Sequence, residues 1–216
     1  MERYFILDKF NTWYDWHLIV TAKNISYPEP KTNYVKLDGM NGTLDLSESL
    51  TGEITYDDRT ITATFWTDYG NRKDREALIQ KITASLHGKK IKIIEPDDPN
   101  HYFYGRVKIK SKVNNLAYAE FTIEAVCEPW RYALEETVRR TPVTRYNVVI
   151  NNNGVKTLNP VFTVTESVTF IYDGQEFHLS KGSYKISDVK LRSGANEFIL
   201  TGGDGYMTIS YREADL

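Results

Sequence analysis

Arg59-Thr-Ile-Thr-Ala-Thr-Phe65 places Ile61, Ala63 and Phe65 on one side of an extended chain and Thr60, Thr62 and Thr64 on the other, the two-residue period of a strand with one face on a core. Both sets suit a pleated sheet. Outward from this run, the alternation returns at Phe103, Gly105, Val107 and Ile109 against Tyr104, Arg106, Lys108 and Lys110. It returns again at Phe121, Ile123, Ala125 and Cys127 against Glu120, Thr122 and Glu124. Asn114-Asn115 lies between the last two runs, and short polar side chains tolerate a turn, so the pattern predicts a hairpin with strands near 102–113 and 117–127.

One segment changes period. From Arg72 to His87 the apolar residues Leu78, Ile79, Ile82 and Leu86 recur at helical spacing, with Asn71 where an N-cap belongs, Asp74 and Glu76 in the first turns and Gly88 after the last periodic residue. The spacing predicts one amphipathic helix over about 71–87, its apolar stripe on a sheet and its charged face in water. Lys90 to Ile94 reads as the next strand.

Near residue 130 the texture changes. Glu128-Pro-Trp-Arg-Tyr132 ends the alternation, and Glu135-Glu-Thr-Val-Arg-Arg-Thr-Pro142 is polar and without period. This reads as a linker over 133–145 between a first domain, 1–132, and a second, 146–216, with Pro129, Trp130 and Pro142 as candidate inter-domain residues. Short strands follow near 146–151, 161–165, 168–172, 175–179, 183–187, 196–201 and 206–212, separated by turn signals such as Asp173-Gly174 and Gly202-Gly-Asp-Gly205. Evenly spaced short strands predict an antiparallel sandwich.

The 216 residues suffice for one large domain or two small ones. With 27 Lys+Arg against 29 Asp+Glu the formal charge is −2, which gives no general basic face for displacing counterions from nucleic acid. Cys127, the single cysteine, has no partner for an intramolecular disulfide, and His17, His87, His101 and His178 lack metal-ligand spacing, so neither metal nor cofactor is expected. No stretch reaches the roughly 20 apolar residues that cross a bilayer. Met1-Glu-Arg-Tyr-Phe-Ile-Leu-Asp8 has only a short apolar run before an acid, so synthesis in the cytoplasm, without a membrane, is expected.

Catalytic readings find little support. Asp57-Asp58 and Asp97-Asp98 are adjacent acids in turn-like contexts, and neighbours in extended chain point apart. Cys127 shares the predicted inner face of Phe121 and Ile123, where a thiol is a small apolar residue. Gly202-Gly-Asp-Gly205 lacks the Gly-Lys-Ser/Thr of a phosphate loop. Arg106, Lys108, Lys110 and Lys112 fall on one strand face, either a polyanion contact or a solvated outer face with gatekeeping lysines. All four tryptophans (Trp13, Trp16, Trp66, Trp130) lie in the first 130 residues, with Trp13-Tyr-Asp-Trp16 as a dense cluster, so large contacts or a big core belong to that half. In the second half Tyr172, Tyr184 or Tyr206 would have to replace tryptophan as a sugar-stacking platform.

Several stretches resemble, in order and spacing, the distal tail proteins of long-tailed, non-contractile bacteriophages. They are Trp13-Tyr-Asp-Trp-His-Leu-Ile-Val20, Pro28-Glu-Pro-Lys-Thr-Asn33, Leu37-Asp-Gly-Met-Asn-Gly-Thr-Leu-Asp-Leu46 and Tyr56-Asp-Asp-Arg59. Cys127-Glu-Pro-Trp-Arg-Tyr132 is similar to the end of that family's first domain. Val149-Ile-Asn-Asn-Asn-Gly154, Asn159-Pro-Val-Phe-Thr-Val164 and Gly194-Ala-Asn-Glu-Phe-Ile199 are similar to parts of its second.

The resemblance implies a mainly β protein of two β-sandwich domains, the first like tail-tube proteins with one helix, the second small and galectin-like. It implies a structural protein and no enzyme. Six copies would form a homohexameric ring at the distal end of the virion's tail, joining the major tail tube protein to tail-tip, baseplate or receptor-binding proteins, with DNA passing through a lumen that does not bind it. The extended stretch Pro28 to Leu46, rich in proline, asparagine and glycine, would be hard to bury within one subunit. Trp13, Tyr14, Trp16, Pro28, Pro30, Leu37, Gly39 and Gly42 are therefore the candidate subunit-interface residues. A peripheral carbohydrate-binding adhesin is the alternative, and a small hydrolase a third reading.

Overall fold

The computed structural model describes residues 4–144 and 146–216. They divide into two compact units, one running to Arg131 and including Leu216, the other Tyr132–Asp215. In the first unit the elements are β1 (Ile6–Leu7), β2 (Phe10–Asn11), β3 (Ile19–Ile25), β4 (Tyr34–Val35), β5 (Leu44–Asp45), β6 (Arg59–Thr67), α1 (Arg72–Leu86), β7 (Lys90–Ile94), β8 (His101–Asn114) and β9 (Ala119–Cys127). A short β10 (Arg131–Ala133) ends this run.

Seven strands form one antiparallel sheet in the order β2-β1-β7-β8-β9-β6-β3. Laid flat, β1 and β6 would stand four strand spacings apart, roughly 19 Å. The ring of Phe5, beside β1, nevertheless meets that of Phe65 on β6 at 5.9 Å. The sheet therefore curls until its ends meet. Buried Thr12 closes the roll: its N–H donates to Phe5 O and its hydroxyl accepts from Phe5 N–H, while Leu18 N–H donates to Thr12 O, each at 2.9 Å. The enclosed core takes the inward side chains Ile61, Ala63, Phe65, Phe121, Ile123, Ala125 and Cys127 of the alternating strands, as the period predicts.

Helix α1 plugs this roll with Ile79, Ile82 and Leu86, and Leu78 packs at its margin. Asn71 caps its start by accepting from Lys73 N–H and Asp74 N–H, while the Asp74 carboxylate accepts from Asn71 N–H, a reciprocal pair that satisfies otherwise orphaned donors. Gly88 follows the helix with φ +77°, the left-handed geometry that ends it. The helix's charged face is not wholly solvated, as its sequence implied. Arg75 is buried and donates to Gly70 O at 2.7 Å and to Asn115 O and Leu116 O at 3.0 Å. It fastens the helix to the β8–β9 turn, itself built on the Asn115 side chain, which accepts from Ala117 and Tyr118 N–H.

A bulge corrects the predicted basic face. The β8–β9 register runs Ile109↔Ile123 and then Ser111↔Thr122, so Lys112 comes opposite inward-facing Phe121. One extra residue flips every later side chain. Arg106, Lys108 and Lys110 keep the outer side, while Lys112 lies toward α1 and pairs with Glu76.

The second unit contains β11 (Thr137–Pro142), β12 (Asn147–Asn152), β13 (Val161–Val164), β14 (Ser167–Tyr172), β15 (Gln175–Leu179), β16 (Gly182–Lys185), β17 (Gly194–Asp204), β18 (Tyr206–Tyr211) and β19 (Ala214–Asp215). Two four-stranded sheets, β11-β18-β13-β16 and β12-β17-β14-β15, enclose a second core around Phe162, Phe170 and Phe198. This is the antiparallel sandwich predicted from strand spacing. The stretch read as a linker carries β11, which pairs with β18 from Thr137↔Tyr211 to Pro142↔Tyr206; position 145 lies outside the described residues. An edge strand tolerates Pro142 and two consecutive arginines because only one side must pair and one face is wet.

Candidate assembly surface

Between β3 and β6 the chain leaves the sheet for residues 26–58 and returns as an arm. Lys31 N–H donates to Thr55 O and Asp57 N–H to Glu29 O, so the outgoing and returning limbs run side by side. Pro30 bridges Tyr56, β4 pairs with β5, and Leu46 N–H donates to Asn33 O. Trp130 meets the foot of the arm with its ring edge-on to Tyr56 at 5.6 Å. At the tip Gly39 and Gly42 both adopt φ +83° with open space around them, a conformation that L side chains rarely adopt.

The arm has no core of its own. Tyr27, Tyr34, Leu37, Met40, Leu44 and Leu50 are all exposed, Leu50 by 99% and Tyr27 by 83%. Apolar side chains grouped on one extended segment mark a surface that another body covers. Of the sequence-derived candidates, Leu37, Pro30, Gly39 and Gly42 lie exposed on this arm, while Pro28 is buried at its base.

The aromatic cluster divides. Asn11 to Leu18 is a tight turn in which the Asn11 carbonyl side chain accepts from Trp13 and Tyr14 N–H at 3.0 Å and the Asp15 carboxylate accepts from Asn11 N–H at 2.7 Å. His17 takes φ +52° and stacks on Tyr69 at 5.1 Å. Trp16 turns inward, 2% exposed and stacked on Phe10 at 4.9 Å. Burial in its own core leaves Trp16, like Pro28, no surface for a second copy. Tyr14 points outward and Trp13 is half-buried against His17. Of the remaining candidates, Pro129 and Trp130 fall in the first unit and Pro142 ends β11.

The β8 basic side chains of the outer sheet face are tied down by hydrogen bonds, and two of them share one acid. Glu124 on β9 accepts from both Lys108, at 2.6 Å, and Lys110, and these two hydrogen bonds hold its carboxyl down at about 2. Arg106 donates to Gly88 O. Burial pushes the Cys127 thiol up to about 12, so it is an inert core side chain at neutral pH. Gly105 sits directly opposite, where an added Cβ would lie 2.3 Å from Cys127 Sγ.

The family model of the phage tail protein RIFT-related domain, Sipho_tail, matches residues 15–127, which is more than half of the chain. The chain belongs to this phage tail protein family. This tail protein also resembles, over its whole length, the crystal structure of Dit (gp 19.1) of phage SPP1, described as a paradigm of the hub adsorption apparatus in phages that infect Gram-positive hosts. The likeness covers 99% of both chains with a TM-score of 0.75 at 16% identity, and at that identity it is one of fold. No curated protein matches the chain.

The second-domain motifs that resembled distal tail proteins are held by asparagines. Asn152 donates to Lys156 O and Leu191 O and accepts from Gly154 N–H. Asn159 donates to Ser187 O and Val189 O. Buried Asn196 donates to Arg192 O and Gly194 O and accepts from Tyr172 O–H and Arg192 N–H. Each satisfies loop carbonyls that the sandwich would otherwise bury unpaired. The three tyrosines considered as sugar platforms are engaged elsewhere. Tyr172 is buried, Tyr184 packs against the core, and the Tyr206 ring lies under the Arg140 guanidinium at 4.1 Å.

Proposed function

We propose that this phage tail protein is the hub subunit at the distal end of the tail, six copies forming a ring in which each arm lies on the next subunit. The observation that carries this reading is the arm of residues 26–58, with six exposed large apolar side chains and no core behind them. A ring repeats one heterologous contact around a closed axis, so every arm is covered. Tyr14 and Trp13, on the turn that joins the two ends of the curled sheet, extend the contact.

In this reading the first unit builds the ring and the channel wall, and the second stands as a peripheral sandwich. The ring joins the tail tube to tail-tip, baseplate or receptor-binding proteins, and DNA passes without being held. Glu124 offsets one of the two positive charges of Lys108 and Lys110, which weakens the hold of this face on a polyanion. The work of such a subunit is geometric, not chemical.

Native mass and negative-stain images of the purified protein test this. Six chains of 25.0 kDa give a species of about 150 kDa with a central hole if the ring closes. Replacing Tyr34, Leu37 and Leu44 together with serine should abolish that species and leave the fold intact. Rings that persist in the triple variant would remove the arm from the interface.

A further inference from the structure

Helix α1 meets β8 along an open groove of about 500 Å³, lined by Ile79, Gln80, Thr83 and Ala84 of the helix and by Ile109 and Lys112 of the strand. It is pinned at both ends. Ile109 N–H donates to His87 Nδ1 at 3.1 Å, which ties the strand to the end of the helix. The bulge that follows carries Lys112 to the α1 side, where Lys112 and Asn114 donate to the Glu76 carboxylate. Between these ends Thr83 and Ala84 are too small to fill the gap, and Ile79, Ala84 and Ile109 make it apolar. From Glu76 to His87 the helix rises about 16 Å, a length that roughly five residues of extended chain span.

Charge separates this groove from the arm. Arg72, Lys73, Lys81 and Lys89, on α1 and just after it, are exposed, and among the described residues none of the four pairs with an acid. The two acids of the helix are engaged, Asp74 in the N-terminal cap and Glu76 with Lys112. The arm is the reverse. Residues 26–58 hold seven acids against Lys31 and Lys36, a net −5 in a chain whose total is −2, and Lys31 is itself taken by Asp57. Asp38 and Asp45 stand directly beside the exposed Leu37 and Leu44. An acidic segment with outward leucines complements an apolar groove on a basic helix. DNA would bring the charge without the apolar side chains.

We propose that the α1–β8 groove receives the acidic arm of a second copy of this chain, with leucines of the arm in the groove and its carboxylates toward the cations of α1. The proposal rests on the ring reading, because it names the surface on which each arm lies. Every copy carries one arm and one groove, which is what a repeated heterologous contact requires.

The test uses the full chain. Ala84 is exposed on the helix, so replacing it leaves the core alone. Ala84→Glu should weaken self-association about tenfold by setting like charge before the arm, while Ala84→Lys, equally long and of opposite sign, should not weaken it. Cys127 is buried, so introduced cysteines report proximity. Ala84→Cys is combined in turn with Leu37→Cys, Leu44→Cys or Leu50→Cys and treated with a short bismaleimide. At least one pair should give a ladder of linked chains beyond the dimer on denaturing gels, whereas each single variant stops at the dimer. Native mass measured on the same samples separates the two readings. Rings that form without a ladder in any pair, or an Ala84→Glu chain that associates as tightly as the parent, would overturn the groove and leave the ring standing. Equal weakening by Ala84→Lys would overturn the charge complementarity. A parent chain that stays monomeric would overturn the ring, and the groove with it.

Discussion

The arm of the first unit and the sandwich of the second contain the same kinds of residue arranged in opposite ways. In the sandwich the aromatic rings lie inside, Phe162 on Phe170 at 5.3 Å and Tyr172 on Phe198 at 4.7 Å. Asn152, Asn159 and Asn196 satisfy the loop carbonyls around them. An exposed apolar residue such as Val149 stands singly on a strand whose opposite face is filled. In the arm the large side chains point outward, glycines shape the tip, and backbone pairing is confined to short stretches. One region is complete within the subunit, and the other presents apolar surface for something to cover. Apolar content alone does not distinguish a core from an interface; the decisive question is whether a segment has a second layer of its own to pack against.

The largest effect should come from opening the sandwich core. Phe198→Ala removes a ring that meets Phe162, Phe170 and Tyr172 and should destabilise the second unit by about 3–5 kcal/mol. All four tryptophans precede residue 132, so their emission reports on the first unit alone. Denaturation followed by far-ultraviolet circular dichroism should show an early loss that tryptophan emission does not follow. Coincident shifts in both signals would break the division into independently finished regions.

Asn196→Ala should act in the same unit but less, by about 2 kcal/mol. It leaves Arg192 N–H without its acceptor and Arg192 O without its donor in partly buried surroundings, while the Tyr172 hydroxyl keeps Lys190 O and the hydrophobic core stays in place. A loss near zero, by the same denaturation assay, would mean that the loops hold without their asparagines. In the arm, Leu50→Ser should change stability by less than ~0.5 kcal/mol, since the side chain touches little within its own subunit, and should weaken self-association instead. Substantial unfolding in this variant would show that the arm has a core after all.

These contrasts were unequally legible in the sequence. Alternation located β6, β8 and β9, because a half-buried strand must alternate, and turn signals located every strand of the sandwich except β11. The helix followed from its stripe and its Asn71 cap. β11 escaped because an edge strand with Pro142, Arg139 and Arg140 buries little beyond Thr141. Arg75 escaped because a charged residue in a first helical turn reads as solvated unless its distant carbonyl partners are known. The bulge beyond Ile109 inserts one residue that no composition rule marks, and it moved Lys112 to the other face. In the Trp13-Tyr14-Asp15-Trp16 run, only the closing turn of the curled sheet decides that Trp16 enters the core while Tyr14 remains outside. The arm's proline, glycine and asparagine content indicated an extended segment. Which of its side chains face outward depends on the pairing of its two limbs.

The smallest effect tests whether the outer sheet face is also complete. Lys108 and Lys110 both donate to Glu124, and its carboxyl is held at about 2 against an unfolded value near 4.5. A folded pKa below the unfolded one means that the stabilisation is fully present above pH 4.5 and is lost as pH falls through about 2. The groups are near the surface, so salt should screen the effect. Glu124→Gln should flatten this part of the stability profile between those pH values, with little change at neutral pH, as measured by denaturant midpoints at low ionic strength. The same variant leaves two lysines without their shared counter-charge, so a polyanion such as heparin should be retained more strongly by the variant than by the parent chain. Equal retention would mean that Glu124 does not set the electrostatic character of the face.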